Sequence, residues 1–139
     1  GTIKSEGALK GRKRVGNWKY FHANGALLSE ENYKNGELHG VQLVYYAKGQ
    51  ITESSQYKNG LLEGVSSKFS SKGILIEEVT YKNGALNGLA KFFELNGNLR
   101  ETGAYKDGKR DGNWEYYLDG EIASEAAIKK NKRKIYKKQ

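Results

Sequence analysis

Apolar and glycine positions recur along this chain with one fixed period. Tyr-Lys-Asn-Gly stands at 33–36, 57–60 and 81–84 and returns as Tyr105-Lys106-Asp107-Gly108, each 24 residues after the last. Aromatic residues keep the same spacing at Phe21, Tyr45, Phe69, Phe93 and Tyr117, and aliphatic ones at Leu27, Ile51, Leu75 and Leu99. After a one-residue deletion before Gly120 the aliphatic place passes to Ile122, and Ile128 falls in the tyrosine place. Glycines close two further columns: Gly40, Gly64, Gly88 and Gly112, with Gly16 one period earlier, and Gly25, Gly49, Gly73 and Gly97. A strict period of this length is the mark of stacked identical units.

Each unit holds two turn signals bracketing two short apolar-containing segments. Asn-Gly and Asp-Gly favour the type I′ hairpin turn, in which both central residues take positive φ. Two glycine-centred breaks per 24 residues leave no helix of useful length. The unit is therefore predicted to be one hairpin plus its return turn, and the chain an all-β, elongated, curved antiparallel meander of about eleven strands. At about 4.8 Å per strand it spans on the order of 50 Å. Gly40 and its equivalents are expected inside strands with an aromatic ring lying over the bare backbone. The rings of Tyr33, Tyr57, Tyr81 and Tyr105 are expected to stack, each against the next repeat.

Composition changes this picture in two places. Hydrophobic residues make up 37% of the 139, low for a globular chain, but a thin sheet needs less core than a sphere. The net charge of +8 is concentrated: 128–139 hold seven Lys/Arg and no acid, which leaves 17 basic against 16 acidic residues in the rest, a net of +1. The chain thus divides into hairpin repeats over 1–127, the first unit partial, and a basic cap or tail over 128–139. A smaller basic cluster stands at Lys10, Arg12, Lys13 and Arg14. With no cysteine there is no disulfide framework, and no apolar run reaches the length of a membrane span. Gly1, Ile3 and Leu9 fall in the columns of Gly25, Leu27 and Tyr33, so the chain begins in mid-repeat. A targeting segment or further repeats could lie ahead of it.

These columns resemble MORN repeats, in particular the bacterial variant with Tyr-Lys-Asn-Gly, a glycine four residues later and an aromatic beyond. The resemblance covers Gly1 to about Asn131. The eukaryotic form carries a tryptophan in each unit, whereas here Trp18 and Trp114 flank Gln42, Ser66 and Ala90. The bacterial variant is known from exported repeat proteins and from antitoxin-like proteins. The resemblance implies an extended sheet that binds something, with no catalytic residue to carry over.

Candidate sites follow. Lys129, Lys130, Lys132, Arg133, Lys134, Lys137 and Lys138 form a possible anion-binding tail, or a charged edge that stops end-to-end pairing, or a boundary inside a longer array. The tyrosine column is either core or a stacking platform. The places of Tyr20, Val44, Lys68, Phe92 and Tyr116, and of His22, Tyr46, Ser70, Glu94 and Leu118, vary between units, which is where a repeated frame reads a partner. Glu53, Glu77 and Glu101 share one place and should line one face, paired with lysines of neighbouring strands. His22 and His39 fit no metal pattern. Nothing forms a nucleophile–base set or a phosphate loop, so no enzymatic activity, cofactor or metal is expected. The expected role is a protein-binding scaffold of a bacterial exported or surface protein, without specific nucleic-acid binding. Attachment to an anionic membrane or polymer through the tail, and an immunity or antitoxin protein that blocks a toxin, are the alternatives.

Overall fold

The computed structural model describes residues 4–124 and 126–130. Fourteen strands run through the described residues: β1 (Lys4–Lys10), β2 (Lys13–Phe21), β3 (Leu27–Lys34), β4 (Glu37–Leu38), β5 (Gly40–Tyr45), β6 (Ile51–Lys58), β7 (Leu61–Leu62), β8 (Gly64–Phe69), β9 (Leu75–Lys82), β10 (Ala85–Leu86), β11 (Gly88–Phe93), β12 (Leu99–Lys106), β13 (Lys109–Leu118) and β14 (Glu121–Ala123). They make one open antiparallel sheet in the order β1-β2-β3-β5-β6-β8-β9-β11-β12-β13-β14. That path has the eleven strands expected. The three extra strands, β4, β7 and β10, are two-residue pieces that pair with β3, β6 and β9.

Both turns have the geometry their residues impose. Asn35 and Gly36 take φ of 52° and 85°, and the pairs Asn59–Gly60, Asn83–Gly84 and Asp107–Gly108 repeat this, as a type I′ turn requires. The turn glycines also join one unit to the next: the amides of Gly36, Gly60, Gly84 and Gly108 donate to the carbonyls of Arg14, Leu38, Leu62 and Leu86 at 2.8–3.0 Å. The return turns are three-residue loops. Tyr46 N–H bonds the Gln50 carbonyl at 2.7 Å, and Gly49 takes a φ of 95°. The deletion before Gly120 shortens the last return turn to Asp119–Gly120, with φ of 51° and 84°. It is a two-residue hairpin in place of a three-residue one.

Three expectations need correction. Gly40, Gly64 and Gly88 do not lie under aromatic rings. They take φ of 103°, 99° and 110° just past an unpaired residue, so backbone shape demands glycine there, and this bulge splits each strand into a two-residue and a six-residue piece. Gly112, φ 68°, lies within the unbroken β13 with no ring over it. The glycines beneath rings are Gly7 and Gly103, where a Cβ would collide with the indoles of Trp18 and Trp114.

The tyrosines, second, do not stack on one another. Each pairs across the sheet with glycine on one side (Gly16, Gly40, Gly64 or Gly88), and Tyr33, Tyr57 and Tyr81 pair with Leu38, Leu62 and Leu86 on the other. Successive tyrosines are two strands apart, about 9.6 Å, beyond the roughly 7 Å reach of ring pairing. Ile128, third, is not in a strand. It lies in a helical turn over 126–130, capped by Ser124, whose hydroxyl accepts from Ala127 N–H at 3.1 Å, and it is buried.

With a single layer there is little interior. Among the described residues Trp18, Val79, Ala90 and Ile128 are the buried ones. The rest of the apolar surface is half-covered by cross-strand neighbours, the unit of stabilisation in a sheet.

Candidate functional site

Residues paired across antiparallel strands point to the same face. The pairing therefore sorts the side chains into rows running across the sheet. One row takes a single residue from every strand of the path: Ser5, Tyr20, Ser29, Val44, Glu53, Lys68, Glu77, Phe92, Glu101, Tyr116 and Ala123. Tyr20, Val44, Lys68, Phe92 and Tyr116, one of the two varying places, all stand in it; of the other, His22, Tyr46, Ser70 and Glu94 fall in the return turns and Leu118 ends β13. Between those in the row, from the alternate strands, come Ser29, Glu53, Glu77 and Glu101. The expected glutamate row is present, and its pairing is specific. Lys68 Nζ lies 3.7 Å from Glu53 and 3.5 Å from Glu77, and the Glu77 charge raises the Lys68 pKa. Glu101 instead accepts from Arg110, at 3.1 Å to the nearer oxygen.

Beside this row the small or polar side chains of Gln42, Ser55 and Ser66 give way to Val79, Ala90 and Gly103, and a tryptophan closes each end. The two ends are built alike. Lys13-Arg14-Val15-Gly16-Asn17-Trp18-Lys19-Tyr20 recurs as Lys109-Arg110-Asp111-Gly112-Asn113-Trp114-Glu115-Tyr116, four periods on. At one end the Arg14 guanidinium stands 4.8 Å from the Trp18 ring and donates to the hydroxyls of Tyr20 at 2.7 Å and Tyr33 at 3.3 Å. Tyr33 donates in turn to Glu31, which also accepts from Gln42 at 2.8 Å. Burial, helped by its bond to Tyr33, pushes the Tyr20 hydroxyl pKa well up, so Tyr20 stays neutral. At the other end Arg110 stands 4.0 Å from the Trp114 ring, and Phe92 stacks on that ring at 6.2 Å. Each indole N–H donates to a carbonyl of the neighbouring strand, Ala8 at 3.0 Å and Ala104 at 3.2 Å. Sequence reading placed Arg14 only in a basic cluster. The signal that pairs it with Arg110 was the octet repeated across four periods.

An open depression lies beside Phe92, lined by Lys68, Ile76, Glu77, Phe93, Leu95 and Arg100. Leu95 is 72% exposed on its return turn. With Glu94 also at its edge, the surface offers rings, two carboxylates and cations within one patch. That suits contact with another surface. Among the described residues no three His, Asp or Glu side chains gather as metal ligands.

The other candidates fall as follows. His39 Nδ1 accepts from Asn59 N–H at 3.3 Å in a turn, and His22 opens an exposed return turn. The column of Tyr33, Tyr57, Tyr81 and Tyr105 is half-buried on the same face as Lys68 and Phe92. Lys129 and Lys130 are exposed on the helical turn at 126–130. Lys132, Arg133, Lys134, Lys137 and Lys138 lie outside the described residues. No described helix is long and apolar enough to cross a membrane.

No protein of curated function matches the chain. Among solved structures it is similar to the crystal structure of TarM, at 14% identity and a TM-score of 0.48, over 80% of this chain and 21% of that one. It is also similar to a mutant of S. aureus TarM in complex with fondaparinux, alpha-GlcNAc-glycerol and UDP, at 15% identity and a TM-score of 0.46, over 70% and 20%. The chain spans about one fifth of those proteins, and nothing is carried over from them. The MORN repeat variant matches four times, at residues 14–35, 38–59, 62–83 and 86–107. Each match takes in two neighbouring strands, the return turn between them and the start of the hairpin turn that follows, so the repeat in sequence is a hairpin in space. Repeats of this kind are commonly protein- or membrane-binding and typically carry no catalytic activity. The chain belongs to the MORN repeat variant family.

Proposed function

We propose that the protein is a non-catalytic scaffold that binds another protein across the face carrying Tyr20, Val44, Lys68, Phe92 and Tyr116. One observation carries this: one of the two places that change from unit to unit stands in a single row that crosses every strand of the path, on a frame whose Asn-Gly and Asp-Gly hairpin turns recur in every unit. Phe92, half-buried beside the exposed Leu95, is the natural anchor, since aromatic residues in partly enclosed sites dominate protein interfaces. The resemblance to the exported bacterial variant supports a place at a bacterial surface. The test is photo-cross-linking from position 68 or 92 in cells, with position 48 on a return turn as control. A discrete adduct from the first two and none from the third is expected. Equal yields from all three positions, or none, refute the reading.

A second reading places the protein on an anionic surface through 128–139. Lys129 and Lys130, exposed at the end of the described chain, support it. Deleting 128–139 should then abolish sedimentation with phosphatidylserine vesicles, and unchanged sedimentation refutes it.

A further inference from the structure

The opposite face carries a feature that the scaffold reading leaves unused. The lysine of each Tyr-Lys-Asn-Gly alternates with its tyrosine and so points away from the Phe92 row. Lys34, Lys58, Lys82 and Lys106 are all exposed, and none has a carboxylate partner among the described ion pairs. They stand in line along the hairpin-turn edge, two strands or about 9.6 Å apart. One step inward on the same face Val41, Val65 and Leu89 repeat at the same interval, 42%, 42% and 52% exposed, with Gln56, Thr80 and Ala104 as their cross-strand partners. Leu61, paired with Lys58 in the lysine row itself, is 49% exposed. The result is a strip two rows wide, with lysines on its outer side, where Glu37 stands opposite Lys34, and with Val41, Val65 and Leu89 alternating with Gln56, Thr80 and Ala104 on its inner side.

The strip's width and period select its occupant. The next row inward on this face holds four acids, Glu6, Glu30, Glu78 and Glu115, against two lysines, Lys19 and Lys91. A flat anionic membrane laid on this face would meet those carboxylates, whereas a rod of about 10–12 Å, the width of an α-helix, covers the strip alone. Seven helical residues rise about 10.5 Å, near the lysine interval, and about 20 residues reach from Lys34 to Lys106. An extended strand fails this match. Three of its residues advance about 10 Å, but the third points to the opposite side, so like-facing residues meet alternate lysines only. We infer that the lysine and aliphatic rows of this face dock an acidic amphipathic α-helix of a protein partner, with carboxylates every seven residues over the lysines and its apolar stripe on Val41, Val65 and Leu89. The inference shares with the scaffold reading only the class of partner. Because it uses the other face, cross-linking from position 92 can succeed where this fails, and the reverse.

The probe is a synthetic 22-residue helical peptide with glutamate at every seventh position and leucine on the adjoining stripe, followed by fluorescence anisotropy on the full chain. Saturable binding is expected. It should weaken at least tenfold in the Lys58→Glu, Lys82→Glu double variant, and weaken steeply with added salt. Since both lysines are exposed, the fold should survive, which far-UV circular dichroism checks. A second variant, Val65→Ser with Leu89→Ser, should weaken binding with little change in salt dependence. Three results overturn the inference: no saturable binding, binding that the charge reversal leaves intact, or equal binding of a peptide broken by two central prolines. Binding of phosphatidylserine vesicles through the same lysines with no binding of the peptide also overturns it, in favour of a lipid surface.

Discussion

At the scale of single residues, the most informative pairing is a tryptophan over a glycine. Gly103 carries no side chain because the Trp114 indole occupies the space above it, and Gly7 stands in the same relation to Trp18. In the three units between, the tryptophan place holds Gln42, Ser66 and Ala90, while the glycine place holds Glu31, Ser55 and Val79. Tryptophan over glycine is thus a feature of the two ends, and the units between fill both places with side chains of other sizes. Gly103→Ala should cost about 1–3 kcal/mol by overpacking, and Trp114→Ala about 3 kcal/mol. Together they should cost clearly less than the sum, because the methyl clashes only while the indole is present. A double-mutant cycle in urea measures this, and additive effects would disprove the pairing. Tyr45 offers a second check. Burial, followed by its bond to Glu30, raises its pKa to about 12. The unfolded chain releases this proton near pH 10, so the contribution of Tyr45 is fully present below that pH and is lost as pH rises to about 12. Tyr45→Phe should flatten the fall in stability across that window, as chemical denaturation at stepped pH would show.

At the scale of elements, the hairpins were largely legible in the sequence, because turn chemistry is local. Asn-Gly demands positive φ at two consecutive residues, and no neighbour is needed to read that. The return turns with Gly25, Gly49, Gly73 and Gly97 were read on the same ground. Sequence reading missed what depends on pairing. Gly40, Gly64 and Gly88 fit a strand in pattern, and the bulge before each shows only once the opposite strand is in place. The tyrosine column looked like a stack because period alone does not reveal that a leucine of a short strand stands beside Tyr33, Tyr57 and Tyr81. The difference can be measured. Gly64→Ala, at φ 99°, should cost about 2–3 kcal/mol, and Asn59→Ala, at φ 51°, about 1 kcal/mol. Similar costs at the two sites would mean that the bulge conformation is not a strict requirement. Tyr81→Ala should cost about 2 kcal/mol, less than a fully buried ring, since Tyr81 is only half-covered.

At the scale of the whole molecule, the candidate site was legible only as columns. The sequence shows which places vary and which carry lysine. Which columns share a face depends on the bulges and on the pairing of alternate strands, and with that pairing the varying row and the lysine row fall on opposite sides. Each unit touches only its neighbours, so stability should build up from unit terms and interface terms along one dimension. Removing residues 62–85 tests this. The cut joins Leu61 to Leu86, which holds the place of Leu62 in the next unit, and so preserves every turn and bulge. In the shortened sheet Glu53 would face Phe92 instead of Lys68, since Lys68 leaves with the deleted unit. The loss of that ion pair, which is largely exposed, should matter little. The shortened protein should fold, keep both tryptophan-over-glycine ends and unfold in one transition. Its denaturant slope should fall by about one sixth, in line with the surface removed. A disordered product would show that the ends depend on one another across the whole sheet, and the nearest-neighbour description would have to be abandoned.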